Sequence, residues 1–214
     1  MIFRKFKRKI SQNKFFWKYR HFLPKIYHNP NWKPKTINNI FFEIIDQNKI
    51  SSIMDFGFGS GDLLLEIFKK RKNNVEFFFG IDINSENLRK IKKIIHGPNT
   101  FFEKKIDDKL FKKINDSGIQ KIDLIVFDRV LYIFSDNELH ELLKSISQLV
   151  SFIFIDDFVI IGHLKNSEYK HRNWVKILKD YNFELEIDID SVNGNPEGCY
   201  SRTLLFRKHS TTVE

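Results

Sequence analysis

Between Ile50 and Lys208 the chain repeats one pattern, a short apolar run followed by a turn and a longer amphipathic stretch. The apolar runs are ISSIMDF, VEFFFGIDI, TFFEKKI, IDLIVFD and SFIFIDDF, and DLLLEIFKKRK, SENLRKIKKIIHG and SDNELHELLKSISQL stand among them. Apolar strands alternating with amphipathic helices imply a parallel sheet covered on both faces, because parallel neighbours need crossover connections. The last two strand-like runs, ELEIDID and SRTLLFRK, follow a further helix, HRNWVKILKDYNF, and are separated only by SVNGNPEG. That link suits an antiparallel pairing and is too short for a helical crossover. The expectation is an α/β fold with a seven-stranded, mostly parallel sheet and one antiparallel strand near the C-terminus. Three helix ends carry local signals. Ser85 opens one helix and Gly97 closes it, while Ser135 and Glu138 form a capping box on another.

The charge is uneven. Residues 1–35 hold eleven of the 36 Lys and Arg and none of the 27 Asp and Glu, which leaves 25 basic against 27 acidic side chains elsewhere. The net charge of +9 therefore belongs to an N-terminal arm, and the remainder, 36–214, is slightly acidic. In the arm Phe3, Phe6, Ile10 and Trp17 fall near helical spacing among cations, with Pro24 as a stop. Thr36 is placed to cap the helix that follows. Such an arm (residues 1–24) suits a lid over a pocket, an anionic membrane surface, or RNA phosphates and bases. Cys199 is the only cysteine, so an internal disulfide and a cysteine zinc cluster are both excluded. Single cysteine usage points to a cytoplasmic location, with the arm allowing a peripheral place at the inner membrane surface. The longest apolar region, LVSFIFIDDFVIIGHL, is interrupted by Asp156 and Asp157 and is too short to span a bilayer.

The sharpest local motif is IMDFGFGSGD, where Gly57, Gly59 and Gly61 lie between a strand and a helix. No Lys-Ser or Lys-Thr follows these glycines, which argues against a nucleoside triphosphate loop. The third glycine of a dinucleotide fingerprint would fall on Asp62 or Leu64, and an acid at the helix start repels a pyrophosphate. What remains is D-x-G-x-G-x-G: Asp55, Gly57, Gly59 and Gly61. This resembles the first motif of the class I S-adenosylmethionine-dependent methyltransferases. Further landmarks occur in the family's order: Asp82 after the second strand, Asp107 after the third, and Asp128 ending the fourth before VLYIF.

The resemblance covers about residues 37 to 207. It implies a Rossmann-like domain binding S-adenosyl-L-methionine through Asp55, Gly57, Phe58, Gly59, Gly61, Asp82, Ile83, Ile106, Asp107 and Asp128. Asp82 would accept both ribose hydroxyls, and Ile106 and Asp107 would lie near the adenine. Phe56 and Phe58 stand where the family commonly has small residues. Candidate groups for the chemistry are Asp128, Asp157 and His163, with Arg129 and Asp156 nearby in sequence and Tyr132 and Tyr200 as pocket candidates. The sequence after strand four is FDRVL, not the [DN]-P-P-[YF] of base-amino or glutamine methylation. No Pro-Cys nucleophile exists for cytosine C5 chemistry. The implied activity is methyl transfer to a small-molecule, sugar or lipid-linked acceptor. RNA methylation through the basic arm and a non-catalytic cofactor-binding subunit are the alternatives. No metal site is expected.

Overall fold

In the computed structural model, residues 18, 39–71, 74–159, 170–191 and 200–209 are described. Apart from Lys18 the basic arm lies outside them, as do the Thr36 cap, His163 and Cys199. Seven strands form one sheet in the order β3-β2-β1-β4-β5-β7-β6. Strands β6 and β7 are antiparallel to each other, and β7 is also antiparallel to β5. The remaining described pairings, β1–β2, β2–β3 and β4–β5, are parallel. The expected single reversed strand is therefore β7.

The first compact unit ends at Gly118. It contains α1 (Asn39–Gln47), β1 (Ser52–Phe56), α2 (Asp62–Arg71), β2 (Phe77–Ile81), α3 (Ser85–Ile94), β3 (Thr100–Glu103) and α4 (Asp108–Asp116). β1 and β2 are almost wholly buried, as their unbroken apolar runs require. Helix α2 carries Asp62 in its first turn and Lys69, Lys70 and Arg71 in its last, which complements the helix dipole at both ends. Two details depart from expectation. Asn84, not Ser85, caps α3, accepting from the Glu86 and Asn87 N–H groups, so Ser85 is already helical. The third strand stops at Glu103, and the residues after it form the unforeseen helix α4.

The second unit begins at Ile119. It contains β4 (Ile122–Asp128), a 3₁₀ turn (Leu131–Ile133), α5 (Asp136–Ile146), β5 (Val150–Phe158), α6 (Trp174–Lys179), β6 (Phe183–Asp190) and β7 (Ser201–Lys208). The capping box on α5 forms as the sequence implies, Ser135 accepting from the Glu138 N–H while the Glu138 carboxylate accepts from the Ser135 N–H. Helix α6 is shorter than the sequence suggests. Asn173 caps it, and Arg172 before it makes a bridge to Val159. After buried Phe183, β6 alternates exposed and half-buried positions, as expected of a strand at the sheet's end with one face in solvent. Its acids Asp188 and Asp190 pair with Arg202 of β7, at 2.6 and 2.7 Å.

Candidate active site

The glycine turn after β1 is shaped by backbone geometry that only glycine adopts easily. Gly59 has φ +59° and Gly61 φ +81°. The two positions differ in what surrounds them. A Cβ on Gly61 would come within 2.5 Å of Ile91 Cδ1, so the turn packs tightly on α3 there. A Cβ on Gly59 would meet only the Gly57 carbonyl, at 4.0 Å, and otherwise open space. Gly61 is thus required by the protein's own packing, whereas Gly59 leaves its backbone open to a ligand.

Asp82, just beyond β2, ties this turn down. Its Oδ2 accepts the Gly59 N–H at 2.8 Å, and its Oδ1 accepts the Asn84 N–H at 2.7 Å. Burial raises its pKa from the ordinary carboxylate value, and the hydrogen bonds from Asn84 and Gly59 oppose that rise. A carboxylate offers about four lone-pair directions. These two backbone donors and a side-chain hydrogen bond from Asn87 leave part of that capacity for a ligand hydroxyl. Next to it Ile83 is an exposed apolar side chain, 39% accessible.

Phe58 does not block the turn. Its ring is buried, packs edge-on against Phe102 at 6.1 Å, and lies 3.0 Å from where a Cβ on Gly80 would stand. Gly80 thus makes room for Phe58 and Phe102, and Phe58 offers the turn's outer side its backbone only. Asp55 is buried in β1, in register with Gly80, and Ile106 is half-buried. Asp107 has a structural task that the sequence reading did not foresee. It caps α4, accepting the Leu110 N–H at 3.2 Å, and that bond, helped by Lys105, lowers its pKa.

In the second unit Asp128 ends β4 half-buried, opposite Asp156 of β5. Asp156 is wholly buried and fully engaged: Arg129 Nε donates to it at 3.0 Å, Ser191 Oγ at 2.8 Å and Thr203 Oγ1 at 2.9 Å. Arg129, held at φ +52°, also donates to Ser191 and Ser201 and lies over the Phe158 ring. Asp157 is wholly buried too. Its oxygens accept the N–H groups of Leu131 (2.8 Å), Tyr132 (3.2 Å) and Phe158 (2.8 Å), and burial lifts its pKa to about 7. The Asp156–Asp157 pair is therefore internal, neither carboxylate standing free in solvent. Tyr132 is buried against Phe158, and Tyr200 bonds Asp190 and Arg202.

Arg172 was not singled out from sequence, where it reads as a helix residue. It is buried and bonds the carbonyls of Leu131 (2.8 Å) and Phe134 (2.6 Å) and the carboxylate of Asp136 (3.0 Å). An isolated arginine in a basic-rich segment gives no sequence signal for such a role. Among the described residues no group of three or more His, Cys, Asp or Glu could hold a metal ion.

The family model described as N-6 DNA Methylase matches residues 30–130, from before α1 to just past β4. The fold is similar to that of magnesium protoporphyrin IX methyltransferase from Synechocystis PCC 6803, solved with bound S-adenosylhomocysteine. The TM-score is 0.62 and the identity 14%, over 92% of this chain and 98% of that one. The methyltransferase domain of a bacterial Hen1 matches at TM-score 0.58 and 13% identity, over 80% of this chain and 96% of that one. An O-methyltransferase family protein from Burkholderia thailandensis matches at 0.56 and 15%, over 80% and 57%. The chain has the fold of the class I S-adenosylmethionine-dependent methyltransferases. No curated protein matches the chain by sequence. The turn at Gly59 and the partly committed Asp82 fit the S-adenosyl ligand with which the magnesium protoporphyrin IX methyltransferase was solved.

Proposed function

We propose that this chain is an S-adenosylmethionine-dependent methyltransferase acting on a small-molecule, sugar or lipid-linked acceptor. The observation that carries this reading is the end of β4. The position after Asp128 is occupied by Arg129, turned by its positive φ into an ion pair with buried Asp156. A base-amino methyltransferase needs there the Pro-Pro-aromatic segment that the sequence lacks. The N-6 DNA methylase match reaches this point and ends, so it speaks for the cofactor half of the chain. The full-length likeness to magnesium protoporphyrin IX methyltransferase, named for a small-molecule acceptor, supports the same class.

S-adenosylmethionine supplies an electrophilic methyl group on a sulfonium. For this chain the cofactor-facing groups are the backbone of Gly57 to Gly61, the Asp55 carboxylate as partner for positive charge, and Asp82 as acceptor for the ribose. Exposed Ile83 and half-buried Ile106 supply apolar surface for the adenine, beside Asp107. Asp128 is the acceptor-side carboxylate not buried at the strand tips and is assigned the proton or orientation role, with His163 as a second candidate. Catalysis in such a site rests mainly on holding acceptor and methyl in line and excluding water.

A transfer assay with tritiated S-adenosylmethionine against lipid, glycan, RNA and protein fractions of a cell extract tests the reading. Label in the lipid, glycan or small-molecule fraction supports it. Label confined to RNA favours the second reading, for which the eleven cations of residues 1–35 speak. S-adenosylhomocysteine binding without transfer to any fraction favours a non-catalytic subunit. Beside a lid over the pocket or an RNA contact, an anionic membrane surface is a role for the arm that would give access to a lipid-linked acceptor. Equal sedimentation with anionic liposomes of the full chain and a chain lacking residues 1–24 would remove that role.

A further inference from the structure

The two carboxylates at the end of β5 look from sequence like acid–base candidates, yet Asp157 is aimed at the backbone. Its Oδ2 receives the N–H groups of Leu131 and Tyr132, the start of the one 3₁₀ turn that follows β4. The same turn is gripped from its other polar side. Arg172 donates Nη1 to the Leu131 carbonyl and Nη2 to the Phe134 carbonyl, and Lys170 Nζ donates to Phe134 as well, at 2.8 Å. A carboxyl group thus satisfies the donors of the turn and a guanidinium its acceptors. Such charge-assisted bonds are about twice as strong as neutral ones. Arg172 is in turn fixed by Asp136 and by the Trp174 ring. Upstream, the turn is continuous with Arg129 and Asp128, and Arg129 N–H is pinned to the Asp156 carbonyl at 2.9 Å.

We propose that Asp157 and Arg172 are a pair of positioning residues that hold the Leu131–Phe134 turn, and through it Asp128, from opposite polar sides. This rests on the reading of Asp128 as an acceptor-side group and deepens it. Neither residue touches the reacting atoms. Asp157 acts as a fixed acceptor, and Arg172 links the turn to the chain that follows residues 160–169. The charged groups beside Asp157 are Arg129 and Asp156, which oppose each other's effect on it. Arg172 meets the turn on its carbonyl side.

The test is hydrogen exchange by mass spectrometry on the full chain, with Asp157→Asn and Arg172→Met, read on a peptide spanning residues 129–135. Both variants are expected to raise exchange of this segment at least tenfold while β4 and β5 stay protected. After correction for the intrinsic pH dependence of exchange, wild-type protection of the segment should shift through about pH 7, where Asp157 ionises. It should be flat in Asp157→Asn. Calorimetry with S-adenosylhomocysteine keeps the two readings apart: both variants should bind it within about threefold of wild type. Failure of the wild type to bind it overturns the functional reading and leaves the turn result standing. Unchanged exchange in both variants, a pH-flat wild type, or loss of protection across all of β4 and β5 overturns the positioning role.

Discussion

The Gly59 N–H donates to Asp82 Oδ2 at 2.8 Å, so the motif glycine and the acid 23 residues later are one hydrogen-bonded unit. Asp82→Ala would leave the buried Asn84 N–H and the Gly59 N–H without their acceptor. Each such loss costs about 1–3 kcal/mol, so the turn should loosen before any ligand is considered. We expect S-adenosylhomocysteine affinity to fall by about 100-fold or more, since hydrogen bonds to a charged group are each worth about 1.5–3 kcal/mol. Isothermal calorimetry measures this, with far-UV circular dichroism showing the sheet retained.

Gly59 and Gly61 should separate binding from folding. Gly61→Ala forces a Cβ to 2.5 Å from buried Ile91 in a left-handed backbone, combining strain with overpacking. A loss of about 2–4 kcal/mol in urea unfolding is expected. Gly59→Ala meets no protein atom closer than 4.0 Å, so its cost should be limited to about 1–2 kcal/mol of backbone strain. Its larger effect should be on S-adenosylhomocysteine binding, because the methyl occupies the open side of the turn. Equal binding losses in two equally destabilised variants would contradict this division.

The seven-stranded, mostly parallel sheet was legible because apolar runs such as IDLIVFD alternate with amphipathic helices, and the short link before β7 implied its reversal. Helix α4 was missed because Leu110 and Ile114 sit among charges, and TFFEKKI reads as a strand running past its true end at Glu103. That error carried Asp107 with it: a residue read only as a cofactor contact also caps a helix. Phe58 could not be oriented from sequence, since glycines on both sides leave its direction to tertiary packing on Phe102. Asp156 and Asp157 lay further beyond reach. Their partners Thr203, Ser191 and Leu131 are far along the chain, and only the assembled sheet shows both carboxylates committed inward.

Asp157 makes stability depend on pH in a defined direction. Burial raises its folded pKa from 3.8 to about 7, so between about pH 4 and 7 the folded chain holds a proton that the unfolded chain has released. The contribution is fully present below about pH 4, is lost as pH rises through about 7, and is level above that. The rise corresponds to about 4 kcal/mol at most. Urea unfolding at pH 5, 6, 7 and 8 should show the wild type losing stability relative to Asp157→Asn across this range. A constant difference between the two proteins would show that Asp157 does not titrate there.

Arg129 and Asp156 form the second test of the inward carboxylates. Arg129 neutralises a wholly buried anion and also spans Ser191 and Ser201, on either side of 192–199. Arg129→Met keeps the volume and removes the charge, leaving Asp156 buried with hydroxyl donors alone. Breaking a buried pair from one side costs about 3–5 kcal/mol, whereas removing both charges costs much less. Arg129→Met should therefore be markedly less stable than the double variant Arg129→Met/Asp156→Asn, in which the stranded charge is gone and Ser191 and Thr203 retain an acceptor. The positive φ of Arg129 is common to both variants and cancels in the comparison. A double variant no more stable than the single one would show that the carboxylate is compensated without the guanidinium.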